Sequence, residues 1–415
     1  MALLMLVVGM GLSSCSSDDD NDLQRMVTGT MNSDQKAASN GGWDFYAICE
    51  GDTIYFKIDK SNAGECYVVH KNYDQLTSWG DPISAEGLYS GDITIPEIVT
   101  LNGTQYLVTG IGQRAFSYSQ ITSLNMPSTI RYIDYCAIGW CYELTSVKMP
   151  ADLIEIEGFA FTCDTLLTNV TLPSKLEKIY QGAFVNCYRL QSINIPASVT
   201  YIESATIANC KNMTTIDVDK NNQYYQFKDG MLLNKAGNFL HTYLSGNKAT
   251  SFTIPEYVDS LGEYAFLDCE HLKSLTVNSN ITWVTDNSLC GIPNIEKITL
   301  PNTITHIGNY AFGECPALTD FVLPESVTYI DERAFWGLES LEEINIPAAV
   351  TNIGEFAFFN CSSLKTVKCY ILEPFAIDNF TFTDYYLTTL YVPTGTKTLY
   401  RNTDGWKNFD SIVEM

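Results

Sequence analysis

The sequence predicts an α/β repeat solenoid, predominantly β, and three observations carry that prediction. Pro127, Pro150, Pro173 and Pro196 each stand 23 residues from the next, as do Pro301, Pro324 and Pro347. Every interval holds one pattern: apolar-x-apolar before the proline, an apolar residue three on, Ile at six, Ala-Phe at ten and eleven, and often Cys at fourteen. Residues 324–346, PESVTYIDERAFWGLESLEEINI, show it cleanly. No unit of this length can bury its own apolar face, so self-similarity at a fixed period means that neighbours stack. The 415 residues therefore measure a stack rather than a number of globular domains.

The N-terminal stretch MALLMLVVGMGLSSC (1–15) is apolar from Ala2 to Leu12. It is too short to span a bilayer and fits a signal-peptide core, although no Lys or Arg precedes it. Leu12-Ser13-Ser14-Cys15 resembles the lipobox of bacterial lipoproteins. The resemblance implies that Cys15 becomes the first mature residue and carries the lipid. Ser16-Ser17-Asp18-Asp19-Asp20 resembles the surface-export signal of lipoproteins in one group of Gram-negative anaerobes. The implied location is the outer membrane at the cell surface, reached through the lipid only. Residues 16–42 have almost nothing to bury and read as a flexible tether.

Structure is expected from Trp43. Within a β cap at 43–104, the alternating runs 53–59 (TIYFKID) and 65–72 (ECYVVHKN) flank the turn residues Ser61-Asn62-Ala63-Gly64 and predict a hairpin. Asn102-Gly103 predicts a type I′ turn between 93–101 and 106–111. The repeats occupy 105–393. Their register breaks once, after Asp219, where extra residues enter around 229–244 (DGMLLNKAGNFLHTYL). That segment reads as a hairpin standing in place of the usual Ala-Phe turn. Counting from Pro255 the steps return to 23, through Asn278, Pro301, Pro324, Pro347 and Tyr370 to Pro393. Residues 394–415 read as a C-terminal cap, a short helix followed by Trp406, Phe409 and Ile412.

Within a repeat, period-two alternation turns Ile344 and Ile346 inward and Glu343 and Asn345 outward. Roughly twelve such strands at about 4.8 Å spacing make a stack on the order of 55 Å long. Proline lacks the N–H that would continue the sheet, so it ends each strand. Ala183-Phe184, Ala265-Phe266, Ala311-Phe312, Ala334-Phe335 and Ala357-Phe358 pair a large ring with a minimal neighbour, as stacked core rings require. Cys141, Cys187, Cys210, Cys269, Cys315 and Cys361 share one offset, and Leu338 holds it in another repeat. They are expected to be a ladder of reduced thiols, with Cys49 and Cys66 the pair to cross-link if any does. No CxxC spacing suggests zinc.

The IPxxVxxIxxxAFxxC repeat, the NGxxYxVxxI lead-in at 102–111 and the LYVPxGT…GWxxF ending resemble the BspA-like leucine-rich-repeat proteins of bacterial surfaces. The resemblance covers roughly residues 43–415. It implies a right-handed leucine-rich-repeat superhelix with a parallel sheet on its concave face, an N-terminal β-hairpin cap and a short C-terminal cap. It also implies cell-surface or adhesive roles, without one shared ligand.

A formal charge of −24 and a pI near 4.4 exclude a phosphate-backbone partner, because nucleic-acid binding relies on Lys and Arg. His70, His241, His271 and His306 are scattered, with no HExxH or GxSxG. Asp217-x-Asp219-x-Asn221 begins like a calcium loop, but Asn222 and Lys228 stand where glycine and the bidentate glutamate belong. No enzyme activity and no cofactor is expected.

Two surfaces remain. The outward positions of the pre-proline strands, among them Thr215, Asp217, Ser251, Thr253, Lys297, Asp320 and Glu343, balance three lysines against three acids and suit a protein or glycan ligand. Trp283, His306 and Tyr329, five residues after the proline position, form a line that either binds sugar faces or packs on itself. The leading expectation is a monomeric, lipid-anchored adhesion protein that captures a host or microbial protein. The alternatives are a glycan-binding accessory of polysaccharide uptake and a passive surface-layer spacer.

Overall fold

The computed structural model describes residues 43–49, 52–70 and 89–415; Cys15, the acidic tract and the 16–42 tether lie outside them. The chain forms two compact units, one ending at Phe227 and the other running from Lys228 to Met415.

In the first unit, strands Phe45–Cys49, Asp52–Ile58 and Glu65–Val69 pair antiparallel, and the third lies parallel to Thr104–Ile111. The predicted 102–103 turn joins Ile98–Leu101 to Thr104–Ile111, with positive φ at both Asn102 (47°) and Gly103 (81°), as a type I′ turn needs. The expected strand 93–101 is two strands. Ser90–Thr94 pairs with Gln120–Asn125 instead, and Pro96, which has no N–H to donate, falls between the two. Beyond Thr104–Ile111 each repeat adds one two-residue strand: Tyr132–Ile133, Glu155–Ile156, Lys178–Ile179 and Tyr201–Ile202, all parallel. The isoleucine six residues past each proline is buried in every case.

The second unit opens with the inserted hairpin, Met231–Asn234 against Phe239–Tyr243. The hairpin does not replace the Ala-Phe turn. It enters ahead of it, and Thr242-Tyr243 fills the Ala-Phe slot: the Tyr243 ring stacks on Phe266 at 5.4 Å and its N–H donates to the Ala265 carbonyl. Two parallel ladders follow. One runs through Trp283–Val284, His306–Ile307, Tyr329–Ile330 and Asn352–Ile353. The pre-proline ladder is segmented, with Ser251–Thr253, Ser274–Thr276, Lys297–Thr299 and Asp320–Phe321 in one sheet. Glu343–Ile346, Thr366–Cys369, Thr389–Val392 and Ser411–Glu414 form a second. Pairing in the first sheet ends before Val322, which stays 62% exposed. The predicted terminal helix is Lys397–Asn402, and Trp406, Phe409 and Ile412 are buried beside it. The closing strand Ser411–Glu414 is an addition to the expected cap.

The interior is a column of rings. Phe312, Phe335, Phe358 and Phe382 stack at 5.1–5.4 Å with planes within 8°. Alanine beside the first three rings lets the turn close up, so that Phe312 N–H reaches the Ala334 carbonyl and Phe335 N–H the Ala357 carbonyl, at 2.9 and 2.8 Å, while Thr381 takes the alanine place before Phe382. These turns hold residues in the left-handed region at two positions per repeat, for instance Tyr310 and Glu314. Gly337 occupies the second of these in the following repeat, where it avoids the Cβ penalty.

The thiols line the same core. Cys187, Cys210, Cys315 and Cys361 donate S–H to the carbonyls of Phe161, Phe184, Leu289 and Phe335 at 3.1–3.4 Å, bridging one repeat to its predecessor. Burial pushes the Cys210, Cys315 and Cys361 thiols up to about 12. No disulfide forms among the described cysteines. Cys49 and Cys66 do not pair because Asp52–Ile58 lies between their strands.

Candidate functional site

All seven residues singled out on the pre-proline strands are exposed, but they do not form one array. Thr215 and Asp217 lie on Thr215–Val218, which pairs with Ser192–Ile195 in the first unit. Ser251 and Thr253 belong to the four-stranded sheet of the second unit, and Glu343 to the sheet after it. Register brings together Ser251, Ser274, Lys297 and Asp320, one per strand. Along this row Lys297 Nζ donates to Asp320 at 2.5 Å, and beside it Lys273 Nζ donates to Glu296 at 2.8 Å. With Thr250 and Thr319 these residues line an open groove of about 440 Å³. Lys273 and Glu296 were not anticipated, though their spacing of 23 residues is the signal that pairs them.

Two hydroxyl populations can be distinguished. Thr305, Thr328 and Thr351, each immediately before a strand of the ladder that begins at Trp283–Val284, donate to the carbonyls of Thr282, Thr305 and Thr328, so their hydroxyl protons are committed to the fold. Ser251, Thr253, Ser274 and Thr276 form no side-chain hydrogen bond among the described residues. Their donors and acceptors face water and are free for a ligand.

The aromatic line is real and mostly turned on itself. Trp283, His306 and Tyr329 are in register on successive strands, with ring centroids 5.0 and 4.7 Å apart. The His306 and Tyr329 planes lie within 22°, so those rings cover each other's faces. His306 Nε2 lies 2.7 Å from Asp331 Oδ2. Trp283 and Tyr329 stay 49% and 39% exposed at the two ends. Tyr201, in the first unit, sits 5.7 Å from Tyr180.

The calcium-like segment is an ordinary turn in which Asp219 Oδ1 accepts the Asn221 N–H at 2.8 Å. Asn222 is buried and donates to the carbonyls of Pro196 and Val199. Of the four histidines, burial lowers His241 to about 4, and His271 lies 2.8 Å from Lys248. Sequence reasoning passed over Asp164, a fully buried acid in the slot that Cys141 and Cys187 occupy in adjacent repeats.

A parallel solenoid with short strands and core rings at a fixed interval defines a repeat-built scaffold of the leucine-rich type. The profile described as BspA type Leucine rich repeat region matches in six copies across residues 109–230, 241–365 and 334–403, and the chain belongs to that family. Among solved structures it is similar to the pneumococcal vaccine antigen PcpA, at 21% identity over 87% of this chain and 97% of that one, TM-score 0.60. A leucine-rich repeat protein from Eubacterium ventriosum matches at 20% identity over 81% and 87%, TM-score 0.65. A leucine rich cell surface protein from Faecalibacterium prausnitzii matches at 22% identity over 90% and 99%, TM-score 0.51. At these identities the likeness is one of fold. No curated protein matches the chain.

Proposed function

We propose that this is a non-catalytic binding protein, lipid-anchored through Cys15 and displayed on the outer membrane, that captures a host or microbial protein on its pre-proline ladder. The observation that carries the reading is the row of uncommitted hydroxyls at Ser251, Thr253, Ser274 and Thr276 beside the paired charges Lys273–Glu296 and Lys297–Asp320. Pairing makes this groove locally neutral on a chain of net charge −24, so a partner meets no like-charge barrier there. Exposed Val322 adds an apolar contact on the same sequence stretch. One of the similar solved structures is a cell surface protein and another a vaccine antigen, which supports display.

The glycan reading rests on the exposed ends of the aromatic line, Trp283 and Tyr329. It is the weaker one, because sugar stacking needs open ring faces and His306 and Tyr329 cover each other's. An unbiased capture of host proteins beside a glycan array supplies the ligand, and two variant sets assign it. Thr253→Lys with Lys297→Glu is expected to abolish protein capture while melting normally; Trp283→Ala with Tyr329→Ala is expected to leave it intact. The reverse pattern supports the glycan reading, and normal binding by both sets discards both surfaces. Cys15→Ala is expected to release the protein from membranes, and Ala at Asp18, Asp19 and Asp20 to hide it from protease added to intact cells.

A further inference from the structure

Near the C-terminal end of the second unit an aromatic row runs across successive repeats. The Arg333 guanidinium lies 5.2 Å from the centroid of Phe356 in the next repeat and 5.9 Å from that of Trp336. Its charge is paired with the Glu332 carboxylate. Phe380, from the repeat after, stacks on Phe356 at 5.6 Å with planes 18° apart. Phe359 and Trp336 flank Phe356 edge-on, which holds the row in place. Arg333 thus occupies a receptor built from two groups, a ring face and a carboxylate.

The same two groups recur at the other end of the row. One face of Phe380 is covered by Phe356, yet the residue is 55% exposed, which leaves its other face open to solvent. Asp378 sits beside it: its Oδ1 accepts the Phe380 N–H at 2.7 Å, and it forms no ion pair among the described residues. No described cation lies over this ring. An exposed aromatic ring with an uncompensated carboxylate on its own backbone N–H attracts a planar cation long enough to reach both, through the ring quadrupole and the charge.

We propose that Phe380 and Asp378 form a docking site for an arginine side chain presented by a partner protein. Arg333 on Phe356 is the internal precedent for the geometry, and the chain's charge of −24 draws basic surfaces toward it. Arginine rather than lysine is specified because the guanidinium is flat, stacks on a ring and keeps donors at its edge for the carboxylate. The inference is independent of the pre-proline groove and concerns a second contact on a different part of the unit.

The test passes the full chain over three sensor surfaces carrying Gly-Arg-Gly, Gly-Lys-Gly and the citrulline counterpart, which keeps the shape of arginine without its charge. The wild type is expected to bind the arginine surface more tightly than the other two. Phe380→Leu and Asp378→Asn are each expected to weaken that binding about two- to five-fold and to leave the citrulline signal unchanged. Glu256→Gln, an exposed acid five repeats earlier, controls for the general acidity of the chain and is expected to change nothing. Equal binding of arginine and citrulline, equal binding of arginine and lysine, or an equal loss in Glu256→Gln overturns the proposal. Melting curves check the variants, and should Phe380→Leu unfold, the exposed Asp378→Asn decides alone.

Discussion

Asp164 is the place where the repeat pattern and the chemistry of its residue disagree. In the adjacent repeats the slot holds Cys141 and Cys187, whose thiols donate to the carbonyls of Phe116 and Phe161. At 164 a carboxyl takes that place, fully buried; its Oδ1 accepts the Cys141 N–H at 2.9 Å and its Oδ2 has no partner. The titratable groups facing it are the thiols of Cys141, Cys163 and Cys187, and no cation compensates it. Desolvation therefore raises its pKa well above the ordinary carboxylate value, against the smaller opposing effect of the Cys141 N–H. The unfolded chain releases this proton near pH 3.9 and the folded chain holds it, so above that pH the native state binds more protons and stability falls as pH rises. The slope is about 1.4 kcal/mol per pH unit until the folded-state pKa is passed. Asp164→Cys restores the repeat pattern at the cost of one acceptor for Cys141 N–H, about 1 kcal/mol at any pH. Relative to wild type, the variant is expected to gain stability steadily as pH rises from 5.5 to 7.5, by at most about 1.4 kcal/mol per pH unit. Asp134 and Glu157 are also shifted up by burial, so the wild-type slope alone is ambiguous and the difference between the two proteins is the quantity to read. Urea denaturation followed by tryptophan fluorescence measures it, above the pI near 4.4 where solubility is lowest. A difference that does not change with pH would falsify the neutral-acid reading of Asp164.

Phe312→Ala is expected to cost about 3–5 kcal/mol, since the ring is fully buried and stacked on Phe335, whereas Glu343→Ala, which breaks only an exposed pair with Lys368, should stay within about 1 kcal/mol. Equal losses in denaturant melts mean that the inward and outward positions are wrongly assigned. The native thiols are expected to resist an aromatic disulfide reagent at pH 8 and to react on unfolding, because burial holds Cys210, Cys315 and Cys361 near 12. Reducing agent should leave the melting temperature where it is, and a drop on reduction contradicts the thiol ladder.

The period, the inward isoleucines, the Ala-Phe column and the cysteine offset were legible because each is a residue type forced on every repeat by the same packing environment. Features that depend on which strand neighbours which were not. Cys49 and Cys66 read as a pair until strand order put Asp52–Ile58 between them. The inserted hairpin was visible, but Tyr243 as the stand-in for phenylalanine was not, because Thr242-Tyr243 lacks the Ala-Phe spelling. Thr215 and Ser251 looked like neighbours in repeat count, while the structure assigns them to separate sheets in separate units. In the aromatic line the spacing gave the row, and side-chain torsions, which spacing does not encode, turned His306 and Tyr329 face to face.

A fixed period makes surface rows as predictable as core rows, and this bears on where recognition can reside. Residues 23 apart lie one strand spacing apart, about 4.8 Å. Lysine and an acid at that separation therefore meet, as Lys273–Glu296, Lys297–Asp320 and Lys365–Glu342 do at 2.5–3.1 Å. Core rows answer to one packing environment, and even their exceptions, Tyr243 in the phenylalanine slot and Asp164 in the cysteine slot, stay buried, so they carry no information about a partner. Outward rows are free to differ from strand to strand, and those whose hydrogen bonds are already used, such as Thr305, Thr328 and Thr351, contribute to holding the turns together. What remains is the small set of outward positions that keep their polar atoms free, and in the second unit Ser251, Thr253, Ser274 and Thr276 do so, in a sheet whose outer row changes from Ser251 and Ser274 to Lys297 and Asp320. Recognition placed there can change by substitution without disturbing the stack beneath it, because those side chains take no part in the core.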